Sequence, residues 1–176
     1  MNRKALAIAA VVAGGLLFSA AVAQACGDKF VVFGRGERIS RSRFPTTILI
    51  YMSPGSRIEA VEKEYHMEAI LKAAGHRTLV VESQSDIQKE LATGRYELVL
   101  ADFADTPALR REAAMVPSKP EVVWLLFKPT EAERAAAEKE TNCMVNASRK
   151  SRGLLSVIDD TTQNRRKGVV NSCQTH

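Results

Sequence analysis

The residues best placed for chemistry are two carboxylates and two hydroxyls. Asp102 and Asp105 follow one apolar run, and Ser53 and Ser56 follow another. Asp102 ends the stretch Tyr96-Glu97-Leu98-Val99-Leu100-Ala101-Asp102, behind the turn signal Gly94. A short unbroken apolar run bounded in this way reads as a strand buried on both faces. The acid then falls at the carboxyl end of a central parallel strand, the edge where open α/β sheets place their ligands. Two nearby acids can serve acid–base work; capping of the following helix is the competing role for each. Ser53-Pro54-Gly55-Ser56 should share that edge, with the N–H groups of a following helix available to an anion. The loop is short, however, and Pro54 removes a donor, so no cofactor is expected. Asp102, Asp105, Ser53 and Ser56 are therefore ligand-binding candidates, and no residue is assigned as catalytic.

Other chemistries lack their parts. His66 and His76 stand apart from any Cys or acid at metal-ligand spacing, so no metal is expected. Cys26, Cys143 and Cys173 form no Cys-x-x-Cys pair, which removes support for a thioredoxin-type or zinc-knuckle site. Gly34-Arg35-Gly36 lacks the third glycine and the helix of a nucleotide fingerprint. There is no Gly-x-Ser-x-Gly elbow.

The elements that must position the candidates alternate. Lys29 to Phe33 reads as an extra N-terminal edge strand, and Glu37 to Pro45 as a polar connector. Thr47 to Met52 is the first strand of the main pattern. Ser56 and Glu59 have capping-box spacing and open a helix predicted to run to Ala74. Its apolar residues drift between two faces: Ile58, Val61 and Tyr65, then Met67, Ile70, Leu71 and Ala74. Thr78 to Val81 is a strand; Ser85 and Gln88 open a helix ended by Gly94. After the Asp102 strand, Thr106-Pro107 starts a helix that stops before Pro117. Val122 to Phe127 is a strand holding Trp124 in the core. Thr130 and Glu133 form another capping box, Cys143 to Val145 a weak strand, and Leu154, Leu155 and Ile158 mark a last helix ending near Gly168. Five strand–helix periods with right-handed crossovers predict an α/β fold: a doubly wound five-stranded parallel sheet, helices on both faces, in the flavodoxin-like order 2-1-3-4-5. The domain should span residues 46–168, after an extension over 26–45 and before a tail over 169–176.

From Thr46 to about Gly168 the chain resembles a response-regulator receiver domain. Gly94-Arg95-Tyr96-Glu97-Leu98-Val99-Leu100-Ala101-Asp102 is similar to the receiver strand that ends on the phosphorylated aspartate, so the resemblance puts Asp102 at the phosphoacceptor position. The accompanying parts differ. Where receivers carry an acidic pair for Mg²⁺ after the first strand, this chain has Tyr51-Met52-Ser53. A hard octahedral ion needs several oxygen ligands. Leu126-Phe127 stands where a Ser or Thr is expected, and Asn146-Ala147-Ser148 where a lysine is expected; Lys128-Pro129 imitates the receiver Lys-Pro pair after the wrong strand. The resemblance implies the fold without a working phosphorelay.

Residues 1–25 read as a secretory signal peptide: Arg3 and Lys4, an apolar run to Ala23, and the cleavage signal Ala23-Gln24-Ala25. Removing Arg3 and Lys4 lowers the net charge from +5 to +3, too mild and too scattered for a nucleic-acid partner. The expected location is periplasmic or secreted, with a lipid anchor on Cys26 as the alternative and a membrane contact only in that case. In an oxidising compartment two of the three cysteines should pair. Cys26 with Cys143 is favoured; Cys143 with Cys173 is the alternative if Cys26 is lipidated. The functional expectation is a non-enzymatic module binding a protein or a small molecule. Its rivals are a periplasmic ligand-binding lobe and an enzyme acting through Asp102 with Ser53 or Ser56.

Overall fold

Alternation along the central strands decides the layers. In the computed structural model, which describes residues 30–33, 37–141, 143–146 and 152–169 (the side chains of 30–38 and 152 aside), the main sheet has five parallel strands. They are β3 (Thr47–Tyr51), β4 (Arg77–Val81), β5 (Leu98–Asp102), β6 (Glu121–Leu126) and β7 (Met144–Asn146). Their order is β4-β3-β5-β6-β7, the expected 2-1-3-4-5. Leu98 and Leu100 of β5 face one helical layer, and Val99 and Ala101 face the other. All four are fully buried, which is why this strand is apolar without a break.

The first layer holds α1 (Arg57–Tyr65), α2 (Met67–Ala73) and α6 (Arg152–Arg166). Ile58, Val61, Met67, Ile70, Leu71, Leu155 and Ile158 pack there on Ile48, Ile50, Val123 and Leu125. The second layer holds α3 (Gln84–Ala92), α4 (Thr106–Met115) and α5 (Glu131–Glu140), where Ile87, Leu91, Leu109, Ala113 and Ala137 cover Leu49, Val99, Val122 and Trp124. Each fully buried Leu or Ile contributes about 1.5–3 kcal/mol. Trp124 is core as expected, 1% exposed, with Phe103 edge-on at 5.3 Å.

Four local expectations are corrected. The N-terminal strand β1 (Phe30–Phe33) is not an edge of the main sheet. It pairs antiparallel with β2 (Glu37–Ser40) in a separate two-stranded sheet, so part of the supposed connector is a strand. Ile39 of β2 is an anchor: it is 1% exposed and joins the first-layer core. The helix predicted to run to Ala74 is two helices. His66 breaks it with φ 51°, a left-handed conformation that resets the helical phase between Tyr65 and Met67. The drift of apolar residues from one face to another marks that break. The α3 cap is Ser83, whose side chain accepts the Asp86 N–H, in place of Ser85. The N-cap of α4 is Asp105, one residue before Thr106.

The α5 capping box forms as predicted, with Thr130 and Glu133 reciprocally bonded. No helix among the described residues is long and apolar enough to cross a membrane. The expected signal peptide, Cys26 and Cys173 lie outside the described residues.

Candidate functional site

The chain leaves β3 toward β4 on one side and returns to β5 on the other, so the sheet reverses direction between β3 and β5. Ligands of open α/β sheets bind at such a point, outside the carboxyl ends of the strands. All four candidates are there: Ser53 and Ser56 in the loop after β3, Asp102 as the last residue of β5, and Asp105 just beyond it.

Asp102 is 3% exposed. Its Oδ2 accepts the backbone N–H of Arg57 at 2.7 Å, and its Oδ1 accepts the Ala104 N–H at 3.2 Å. Arg57 is the first residue of α1, so Asp102 caps a helix that starts 45 residues earlier in the chain. A carboxylate at a helix N-terminus gains from the unpaired N–H groups and from the helix dipole. Sequence reading allowed capping as the competing role for this acid but attached it to the helix that follows. Thr106 reinforces the turn after β5, its hydroxyl donating to the Asp102 carbonyl at 2.7 Å.

Arg57 and Glu133 are the residues that sequence reading missed. The Arg57 guanidinium lies 3.7 Å from Asp102 Oδ1. It also donates to Glu133 Oε2 at 3.1 Å and stands 3.0 Å from Glu133 Oε1, a two-point contact that suits the planar fork. Glu133 in turn accepts the Thr130 N–H at 2.8 Å. Hydrogen bonds from Arg57 and Thr130 hold the Glu133 carboxyl down at about 2, and the bond to Glu133 raises the Arg57 pKa. One arginine therefore ties the end of β5, the start of α1 and the start of α5 together.

The remaining candidates separate. Asp105 does not cap α4 with its side chain; its Oδ2 accepts the Ser53 hydroxyl at 2.6 Å. Ser56 stands at the N-cap of α1 but makes no side-chain cap bond, and its Oγ is buried without a hydrogen-bond partner among the described residues. The predicted Ser56–Glu59 capping box is not formed: the Glu59 N–H donates to the Ser56 carbonyl at 3.3 Å, the Ser56 N–H donates to the Ser53 carbonyl at 3.0 Å, and the Glu59 carboxylate is paired with Lys63 at 2.7 Å. Lys128, after β6, is directed elsewhere, to Glu64 at 3.3 Å and over the Phe127 ring at 4.6 Å.

One guanidinium is shared between the Asp102 and Glu133 carboxylates. Asp102 receives two N–H donors and a guanidinium, so the place beside it is held by a covalently attached cation. Among the described residues no three His, Cys, Asp or Glu side chains converge as metal ligands. A groove that opens nearby is lined by Met52, Pro54, Glu59, Glu62, Lys63 and Glu82 and reaches neither Asp102 nor Asp105.

The two histidines are placed differently. His66 is exposed at the α1–α2 break. His76 is 4% exposed, and its Nδ1 accepts the Thr46 N–H at 3.3 Å. Its Nε2 has no hydrogen-bond partner among the described residues. Burial lowers the His76 pKa, opposed by the nearby Asp159. Cys143 is buried beside β7, its Sγ 3.5 Å from the Thr161 hydroxyl.

Fold and site together define a doubly wound α/β protein whose switch-point carboxylate is closed by an internal arginine. Comparison with family models and with curated proteins finds no match.

Proposed function

We propose that the protein is an exported, receiver-like binding module in which the phosphoacceptor position has become a structural cap. The observation that carries this reading is the state of Asp102: buried, bonded to the Arg57 N–H at 2.7 Å and faced by the Arg57 guanidinium. Phosphoryl transfer to a carboxylate needs an accessible oxygen and a cation, such as Mg²⁺ held by several oxygens, placed against the phosphoryl charge. At this edge an arginine supplies the positive charge, and it cannot be exchanged for a divalent ion. The module would then act through a surface that binds a protein or a small molecule. An enzyme acting through Asp102 with Ser53 or Ser56 is less well supported, because the Ser53 hydroxyl donates to Asp105 and not to Asp102, and Ser56 Oγ has no hydrogen-bond partner among the described residues.

Export belongs to the same reading and rests on the leader-like N-terminus. It includes a disulfide between Cys143 and Cys26.

The test is amide NMR of the mature chain with Mg²⁺ and beryllofluoride. The expected result is no change at Arg57, Asp102, Ala104 or Asp105. Saturable shifts centred on Asp102 would overturn the reading.

A further inference from the structure

A second place in the molecule has the opposite electrostatic character. At the amino end of the sheet, the last turn of α4, the loop over residues 116–120 and the end of α6 enclose a groove of about 790 Å³. That is within the roughly 300–1,000 Å³ of small-molecule sites. Four of its lining residues are cationic: Arg110, Arg111, Lys119 and Arg165. Glu121 is the acid among the lining residues. None of the four cations pairs with a carboxylate among the described residues, whereas Arg57, Lys63, Lys72, Arg95 and Lys128 all do.

Two of these cations are already held in place. Arg165 donates from Nη1 to the Lys119 carbonyl at 2.6 Å and from Nη2 to the Ser118 carbonyl. The Arg110 guanidinium carbon lies 5.7 Å from the centroid of the Trp124 ring, over its face, an arrangement that favours the cation. The loop between them turns through Lys119 at φ 42°, closed by the Lys119 N–H to the Val116 carbonyl at 3.1 Å. Arg111 and Lys119 stand exposed at the rim.

The charge balance could still cancel, because α4 and α6 both end here. A helix C-terminus carries about half a negative charge. Two such ends and Glu121 together offset about two of the four cations, which leaves the groove at about +2. That surplus is concentrated in a concavity, where field lines focus. Guanidinium forks match the paired oxygens of phosphate and carboxylate. Holding two of them in advance reduces the ordering cost of binding.

We propose that this groove binds a compact organic anion bearing two or more phosphate or carboxylate charges. The site is separate from the Asp102 edge, at the other end of the sheet, and does not depend on the fate of that carboxylate. It gives the module a ligand whose recognition is ionic and bidentate.

The experiment is isothermal titration of the mature protein with pyrophosphate and, separately, with citrate, at low and at high salt. At low salt at least one anion should bind with Kd below about 1 mM, which corresponds to only about −4 kcal/mol, and high salt should weaken it. Binding of pyrophosphate alone assigns phosphate chemistry, binding of citrate alone assigns carboxylate chemistry, and binding of both assigns charge recognition. The double variant Arg111→Gln/Lys119→Gln removes two exposed charges, so its thermal midpoint should be unchanged while affinity falls at least about ten-fold. Amide shifts should map to residues 110–121 and 165–169. The inference is overturned if neither anion binds, if the variant binds as well as the parent, or if the shifts map to the Asp102 edge. Binding to vesicles of anionic lipid with no affinity for either small anion would also overturn it.

Discussion

Replacing Asp102 with alanine separates a structural cap from a chemical acid, because the two predict opposite signs. An acid kept for metal or phosphate chemistry sits among like charges, and its removal relieves repulsion. Here Asp102 accepts the Arg57 N–H at 2.7 Å and the Ala104 N–H at 3.2 Å from a position 3% exposed to solvent. Losing a charge-assisted bond to a helix N-terminus, with its donor left inside, costs about 2 kcal/mol. The weaker Ala104 bond adds about 0.5 kcal/mol. The guanidinium at 3.7 Å adds little, because Arg57 is about a third exposed and keeps Glu133 as its partner. The expected loss is therefore about 2–3 kcal/mol, a large share of a domain stability of about 5–15 kcal/mol. Asp102→Asn keeps one acceptor without the charge and should lose about half as much. Urea unfolding followed by circular dichroism measures both, with the transition slope unchanged if only the folded state is affected. If Asp102→Ala is as stable as the parent or more so, the capping account is wrong.

Other expectations follow from the same geometry. Ser56→Ala should change stability by less than about 0.5 kcal/mol, against the ~1 kcal/mol usual for a working serine cap, because its Oγ bonds to nothing among the described residues; urea melts would show a larger loss if the hydroxyl caps in solution. His66→Gly should stabilise by about 0.5–1 kcal/mol by removing the left-handed strain at φ 51°; a lower urea midpoint would contradict this. His76 is neutral in the fold with a lowered pKa, and its Nδ1 must stay unprotonated to accept the Thr46 N–H. Its contribution should therefore be full above the unfolded-state pKa of about 6.5 and fall as pH drops below that value. His76→Gln should flatten the dependence of the melting temperature between about pH 6.5 and 5, and an unchanged slope would assign it to other groups. Glu133, held at about 2, contributes above its unfolded pKa and loses that contribution as pH falls toward 2. Glu133→Gln should remove that part of the acid sensitivity, and an unaltered acid-unfolding curve would count against the Arg57 bridge.

The parallel sheet was readable because its signals are local and agree. Apolar runs such as Leu98 to Ala101 specify strands buried on both faces, and Gly94 with φ 68° ends the preceding connection. The Thr130–Glu133 box is a four-residue pattern and formed as written. The site was only half readable. Four residues could be assigned to one sheet edge from topology, yet what each does depends on partners far away in the chain. Arg57 meets Asp102 across 45 residues and Glu133 across 76, distances that no periodicity conveys. The Ser56–Glu59 pattern misled because the backbone met its donors, the Glu59 N–H going to the Ser56 carbonyl and the Ser56 N–H to the Ser53 carbonyl, while Lys63 drew the Glu59 carboxylate away. The split at His66 was present as a shift of helical phase, and histidine is among the side chains enriched in the left-handed region, but one such residue does not by itself end a helix. The β1–β2 pair was misread because a four-residue apolar strand says nothing about which sheet it joins.

The most direct measurement of the central claim is the intact mass of the protein taken directly after incubation with Mg²⁺ and acetyl phosphate. An Asp102 carboxylate committed to the Arg57 N–H and guanidinium predicts an unchanged mass. A stoichiometric phosphoryl adduct that maps to Asp102 would contradict the account.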